Sequence, residues 1–228
     1  MKINIFTIVA HPDDEVLGCG GTLARHAKNG DSVSVLFLAD GEGSRLSDTK
    51  AEHAKASARE AMARKVGDII GIKDMFFLCL PDNKMDTVPF LDIVKQIEPY
   101  VQRVQPNIIY THHAGDLNID HRLTHQAVIT ACRPQPGSNV STILCFETPS
   151  STEWQPPDSN TPFCPNWFVD ISSTLGIKTD ALEEYAPEMR QWPHARSIQT
   201  VQALAKWRGS SIGVNAAEAF VLARHTMR

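Results

Sequence analysis

Residues 3–22 read INIFTIVAHPDDEVLGCGGT, and the fold is decided here. Ile3–Ala10 is short, continuous and rich in β-branched residues, the pattern of a strand buried on both faces. His11, Pro12 and three successive carboxylates, Asp13, Asp14 and Glu15, end it abruptly. A helix is expected over Leu17–Lys28, opened by an acidic turn that suits the positive end of a helix dipole and closed by Asn29-Gly30.

The same alternation continues outward. Strands are expected at 32–39 (SVSVLFLA), 75–80, 107–111 and 142–147. Helices are expected at 51–66, stopped by Gly67, at 88–104 with Pro89 in its first turn, and at 122–132. After Pro149 the texture changes. Residues 150–165 carry many Ser, Pro, Asn and Thr and read as a long loop; 169–171 reads as an edge strand, and 174–185 and 200–207 as helices. Strand–helix alternation implies an α/β chain with right-handed crossovers. We read one domain over 1–228: a Rossmann-like, mainly parallel sheet with helices on both faces (1–149) and a C-terminal extension of long loop and helices (150–228). That extension is expected to shape the pocket or a homo-oligomer interface.

Composition narrows the class. With 22 Lys and Arg against 26 Asp and Glu, the formal net charge is -4, so no basic excess points to nucleic acid. The first apolar run is too brief and too soon acidic for a secretory signal, and no run reaches membrane-spanning length. Five scattered cysteines without a CxxC read as reduced thiols, and a cytoplasmic location is expected.

Ligands of such sheets collect at the carboxyl ends of the strands. Gly18, Gly20 and Gly21 invite a dinucleotide reading, with Asp40 placed as a ribose-binding acid. The spacing fails, because Leu23 stands where a third small residue is needed, and three carboxylates would repel a pyrophosphate. A divalent cation suits His11 and Asp13-Asp14 better, although the helix dipole alone accounts for one acidic residue there. His121, after the strand at 107–111, is the best further ligand, and Asp120 beside it is placed to orient an imidazole. His125, one helical turn on, ranks below it.

These residues resemble the PIG-L/LmbE family of zinc-dependent sugar N-deacetylases. Ala10-His11-Pro12-Asp13-Asp14-Glu15 stands as that family's signature, and Gly115-Asp116-Leu117-Asn118-Ile119-Asp120-His121-Arg122 resembles the second block of one branch. The stretch at 187–197 (PEMRQWPHARS) extends the likeness. The resemblance implies His11, Asp14 and His121 as zinc ligands, with Fe(II) as another metal suited to the same set. It implies Asp13 as the general base for a zinc-activated water that attacks the amide of an N-acylated, typically N-acetylated, amino sugar or sugar conjugate. Many members carry a His where this chain has Asn118, and a carboxamide cannot deliver a proton at neutral pH. Proton return is therefore assigned to Asp13 first and His194 second, with His112 and His113 as further histidines near the site.

Members also hold substrate with an arginine of the second helix, and the register offers Lys55 or Arg59. Asp40, Arg45, Asp82 and Asn83 lie in or near strand-end loops and are candidates for sugar contacts. Trp154 and Trp167 are suited to stacking on a sugar or to ordinary packing. Two other readings are a non-catalytic carbohydrate-binding relative that keeps the metal site and a nucleotide-dependent oxidoreductase.

Overall fold

The computed structural model describes residues 2–41, 49–156 and 161–227, with the backbone alone over 49–57. Fifteen-residue α1 (Asp14–Lys28) follows β1 (Asn4–Val9), and β2 (Ser32–Ala39), α2 (Thr49–Ile70) and β3 (Asp74–Leu80) continue the alternation. Then come α3 (Phe90–Val104), β4 (Ile108–His112), α4 (Ile119–Ala131) and β5 (Thr142–Phe146). The C-terminal part adds β6 (Trp167–Asp170), α5 (Leu175–Glu184), α6 (Ile198–Ser210) and β7 (Ala217–His225).

One seven-stranded sheet runs in the order β3-β2-β1-β4-β5-β7-β6. The first five strands are parallel, and β7 lies antiparallel between β5 and β6. Alternating strand residues feed two cores, as a period of two requires. Ile5, Val9, Val35 and Phe37 pack beneath α1, α2 and α5, while Phe6, Ile8, Leu36 and Leu38 pack against α3 and α4. No helix among the described residues is long and apolar enough to cross a membrane.

Three local readings change. The helix α2 runs through Gly67 and stops at Gly71, whose φ of +88° supplies the left-handed turn that ends it. Next, α1 begins at Asp14 and breaks at Cys19 (φ -148°, ψ 19°). Gly18 is required there by packing, because a Cβ would lie 2.2 Å from the Phe146 ring, so the glycines seat a helix on a strand. Finally, the C-terminal extension ends in β7 as well as helices. The single acid of β7, Glu218, accepts the Gly21 and Thr22 N–H groups at 3.0 and 2.7 Å and so caps the second half of broken α1. Lys178 of α5 joins it, with Nζ 2.6 Å from Glu218 and 2.9 Å from the Leu17 carbonyl.

Strand order reverses between β1 and β4: the chain leaves β1 toward β2 and β3, then returns to β4 on the other side. The crevice at the carboxyl ends of those two strands is the ligand position of an open α/β sheet.

Candidate active site

At that crevice the turn after β1 delivers His11 and the start of α1 delivers Asp14, while the loop after β4 delivers Asp116 and Asn118 and the first turn of α4 delivers Asp120 and His121. Asp14 Oδ2 lies 3.3 Å from His11 Nδ1, 3.3 Å from His121 Nε2 and 3.4 Å from His112 Nε2. Asp14 Oδ1 is buried without a hydrogen-bond partner among the described residues. A carboxylate oxygen left dry and unpaired is costly unless a cation takes it. One ligand atom each from His11, Asp14 and His121 can be chosen so that all lie within 4.8 Å of one another. Two imidazoles and a carboxylate suit zinc or another first-row divalent ion.

The imidazoles are braced from behind. His11 Nε2 faces Asp120 Oδ2 at 3.1 Å and Asp82 Oδ1 at 3.0 Å, and His121 Nδ1 faces Asp116 Oδ1 at 3.1 Å. Burial opposes a charge on His121, but Asp14 and Asp116 outweigh it and raise its pKa to about 9. Burial likewise opposes charge on His11, and Asp120, Asp14 and Asp82 together raise its pKa well above the usual range. Asp14 is pulled the other way: its own burial is outweighed by His121, His112 and His11, which hold it well below the usual carboxylate range. The carboxylates thus demand positive charge at this spot.

Asp13 stands beside this trio with φ +124°, its backbone N–H donating 3.0 Å to Glu15 Oε2. Glu15 is itself fixed by the Tyr185 hydroxyl at 2.8 Å, and burial raises its pKa to about 8. Asp13 Oδ2 accepts from Arg196 Nη1 at 2.8 Å and lies 3.7 Å from Arg59 Nη2. Burial raises the Asp13 pKa, and the Arg196 guanidinium opposes that. Arg59 is held in turn by Glu188 at 2.6 Å and by the Gly41 carbonyl. The pocket mouth is lined by His11, Asp13, Arg59, Asp82, Asn118 and Arg196 among others.

The other expected site residues are placed as follows. Asp120 accepts the Asn83 and Met85 N–H groups at 2.6 and 3.1 Å, which fixes it behind His11. Asn118 caps α4, its side chain accepting the Asp120 N–H at 2.8 Å, and its Nδ2 donates to Asn83 Oδ1 at 3.2 Å. Asp82 and Asn83 reach the mouth, and Asp40 ends β2 beside it. Of the three further histidines, His112 packs against the site beside Asp14 and His121, while His113 and His194 turn to other partners. His112 is fully buried, its Nε2 accepting the Ala10 N–H at 3.0 Å; burial and the stacked His121 ring push its pKa down to about 4. His113 faces the Thr161 carbonyl at 3.0 Å. His194 accepts the Arg196 N–H at 3.0 Å and stands edge-on to Trp154. Trp167 lies on β6 beside His225. Arg45 and the Lys55 side chain lie outside the described residues.

Arg196, Glu188 and Asp116 are the site residues that the sequence reading missed. Asp116 and Arg196 stand inside the two quoted blocks, at positions 116 and 187–197, but nothing in their spacing shows what they face.

Known proteins resemble this chain in sequence and in fold. A sequence model described as PIG-L, GlcNAc-PI de-N-acetylase, matches residues 6–132. The uncharacterized deacetylase YaiS of Escherichia coli is 30% identical over 152 residues, 64% of this chain and 75% of that protein. The diacetylchitobiose deacetylase of Thermococcus kodakarensis is 26% identical over 214 residues, 85% of this chain and 75% of that protein. The crystal structure of a 4-carboxy-2-hydroxymuconate hydratase from Pseudomonas putida superposes with a TM-score of 0.81 at 22% identity, covering 100% of this chain and 98% of the other.

Proposed function

The chain belongs to the PIG-L de-N-acetylase family, and we propose that it is a zinc-dependent amide hydrolase that removes an N-acyl group, acetyl in the simplest case, from a small amino sugar or its conjugate. The observation that carries this reading is the buried Asp14 carboxylate, whose Oδ2 faces the His11 and His121 imidazoles while its Oδ1 has no partner among the described residues, with a second carboxylate, Asp13, beside it on the pocket wall. His11, Asp14 and His121 would hold the metal. A divalent cation there supplies Lewis-acid polarisation of the acyl carbonyl and acidifies water.

The chain's own groups do the rest. Asp13 accepts the proton of the attacking water as the new C–O bond forms. Arg196 occupies Asp13 Oδ2, so the proton rides on Oδ1. Burial, by raising the Asp13 pKa, makes it a better base than a solvated carboxylate. As the C–N bond breaks, Asp13 returns that proton to the leaving amine. Asn118 has no proton to give, and its fixed amide serves as a hydrogen-bond donor at the mouth. Arg59, Asp82 and Asn83 offer donors and acceptors to sugar hydroxyls. Five free cysteines suit a reducing compartment, and we place the enzyme in the cytoplasm.

The test joins bound-metal analysis with primary-amine release from a panel of N-acetylated sugars, on wild type and Asp13→Ala. Metal in both and amine from the wild type alone is the expected result. Metal without turnover on any sugar would favour a carbohydrate-binding relative. A second reading, hydration of an unsaturated carboxylic acid, is favoured by one observation: two guanidinium groups, Arg59 and Arg196, converge on the mouth. A carboxylate ligand suits such a pair. That activity would consume a conjugated C=C chromophore and release no amine.

A further inference from the structure

The turn after β5 addresses both halves of the site with adjacent hydroxyls. Ser151 Oγ donates to Asp116 Oδ1, and Thr152 Oγ1 donates to Asp116 Oδ2 at 2.7 Å. Asp116 faces His121 Nδ1, the ring nitrogen opposite the one that faces Asp14. One residue earlier, Ser150 Oγ accepts from Arg196 Nε at 2.7 Å, and Arg196 Nη1 reaches Asp13. Neighbouring side chains diverge, so two consecutive hydroxyls serve two separate arms.

The turn is stiff enough for that task. Ser150 adopts φ +70°, and the Glu153 carboxylate accepts the N–H groups of Ser150 and Ser151 at 2.6 and 3.3 Å. The Thr148 carbonyl accepts the N–H groups of Ser151 and Thr152 at 3.1 and 3.0 Å. Ser151 and Thr152 are buried, so water does not compete freely for their hydroxyls.

We propose that Ser150 and Ser151 are positioning residues that hold base and metal ligand in register: Ser151 fixes His121 through Asp116, and Ser150 fixes Asp13 through Arg196. The inference rests on the metal centre and general base proposed above. An acceptor on the far nitrogen of a ligating imidazole sets its tautomer and orientation. A base displaced from its line of attack loses rate without losing substrate. The two serines therefore act on different observables.

The experiment measures zinc affinity by competition with a chromogenic chelator, and kcat and KM for amine release, in wild type, Ser150→Ala, Ser151→Ala and Ser151→Thr. Circular dichroism and thermal unfolding of the metal-free proteins check that each is folded; Ser151→Cys, a weak donor of similar size, replaces an alanine variant that is not. Ser151→Ala is expected to weaken zinc binding by up to about 10-fold, less than loss of the Asp116 partner itself would cost, because Asp116 keeps the Thr152 hydroxyl. Ser151→Thr, which keeps the hydroxyl, restores it. Ser150→Ala keeps wild-type zinc affinity and KM but lowers kcat, by up to about 100-fold for a displacement of about 1 Å. Wild-type zinc affinity in Ser151→Ala, equal weakening by both alanine variants, or failure of the threonine to restore binding would overturn the proposal. The zinc ranking is read without turnover. If it holds while no sugar yields amine, the hydrolase reading fails and takes the Ser150 arm with it, while the Ser151 brace of His121 stands.

Discussion

Asp13 sits at φ +124°, where a non-glycine residue is strained by about 1–3 kcal/mol and needs its surroundings to hold it. Glu15, backed by Tyr185, grips its N–H, and Arg196 grips its carboxylate. Such a fixed carboxylate suits a base that must meet one water at one angle. Asp13→Asn keeps the shape and removes the proton acceptor. Amine release should fall about 100- to 10,000-fold, the usual worth of a general base, with bound metal unchanged by elemental analysis. At the other wall, Asn118→Ala removes the cap of α4. A stability loss of about 1 kcal/mol is expected from urea unfolding. His11, the Asp13-Asp14 pair and His121 stood out in the sequence as metal-ligand residue types after strand ends, the choice of Asp14 within the pair came from the family resemblance, and the structure brings His11, Asp14 and His121 together. Arg196 was not, because an arginine 183 positions from Asp13 carries no mark of what it faces.

At the scale of elements, β1, β2, β4 and β5 were legible because strands buried on both faces are written as unbroken apolar runs, and edge strand β3, only half-buried, by its short apolar run alone. The strand β7 escaped because its sequence, AEAFVLARH, mixes alanines and charges that serve a helix equally well. Its antiparallel place between β5 and β6 is set by tertiary pairing. The same strand explains the break in α1. A helix broken at Cys19 exposes a fresh set of N–H groups inside the protein, and Glu218 takes two of them while Lys178 neutralises it. Glu218→Ala would strand those N–H groups and leave a buried ammonium. Breaking one side of a buried pair costs about 3–5 kcal/mol. Denaturant unfolding should show a loss of that size, in a variant whose Asp13, His11, Asp14 and His121 are untouched. A loss of under about 1 kcal/mol, the worth of an exposed pair, would mean that water reaches the Glu218 site.

Across the whole molecule, one sheet carries both the site and the C-terminal extension, since β7 is hydrogen-bonded onto β5 and β6 onto β7. The 150–228 segment is therefore part of the core, and it also supplies Glu188 and Arg196 to the pocket wall. Thiol chemistry tests that global packing without reference to activity. Cys79 and Cys164 are exposed, whereas Cys19, Cys132 and Cys145 are buried. Burial also pushes the Cys132 and Cys145 thiols up to about 12, so neither is a thiolate at about pH 8–9, where thiol reagents work. Cys145 lies in β5 under the β7 pairing, and Cys132 closes α4, its carbonyl accepting from Arg224 of β7. In native protein, a thiol-specific reagent should therefore label Cys79 and Cys164 alone, with all five cysteines reacting in denaturant. Raising the pH should speed labelling at the two exposed sites, because the thiolate is the nucleophile. It should not recruit Cys132 or Cys145 while the sheet stays closed. Peptide mapping after labelling reads this directly. Rapid native labelling of Cys145 would show that β7 parts from β5, and the extension would then be a loosely held flap instead of the strand that completes the sheet.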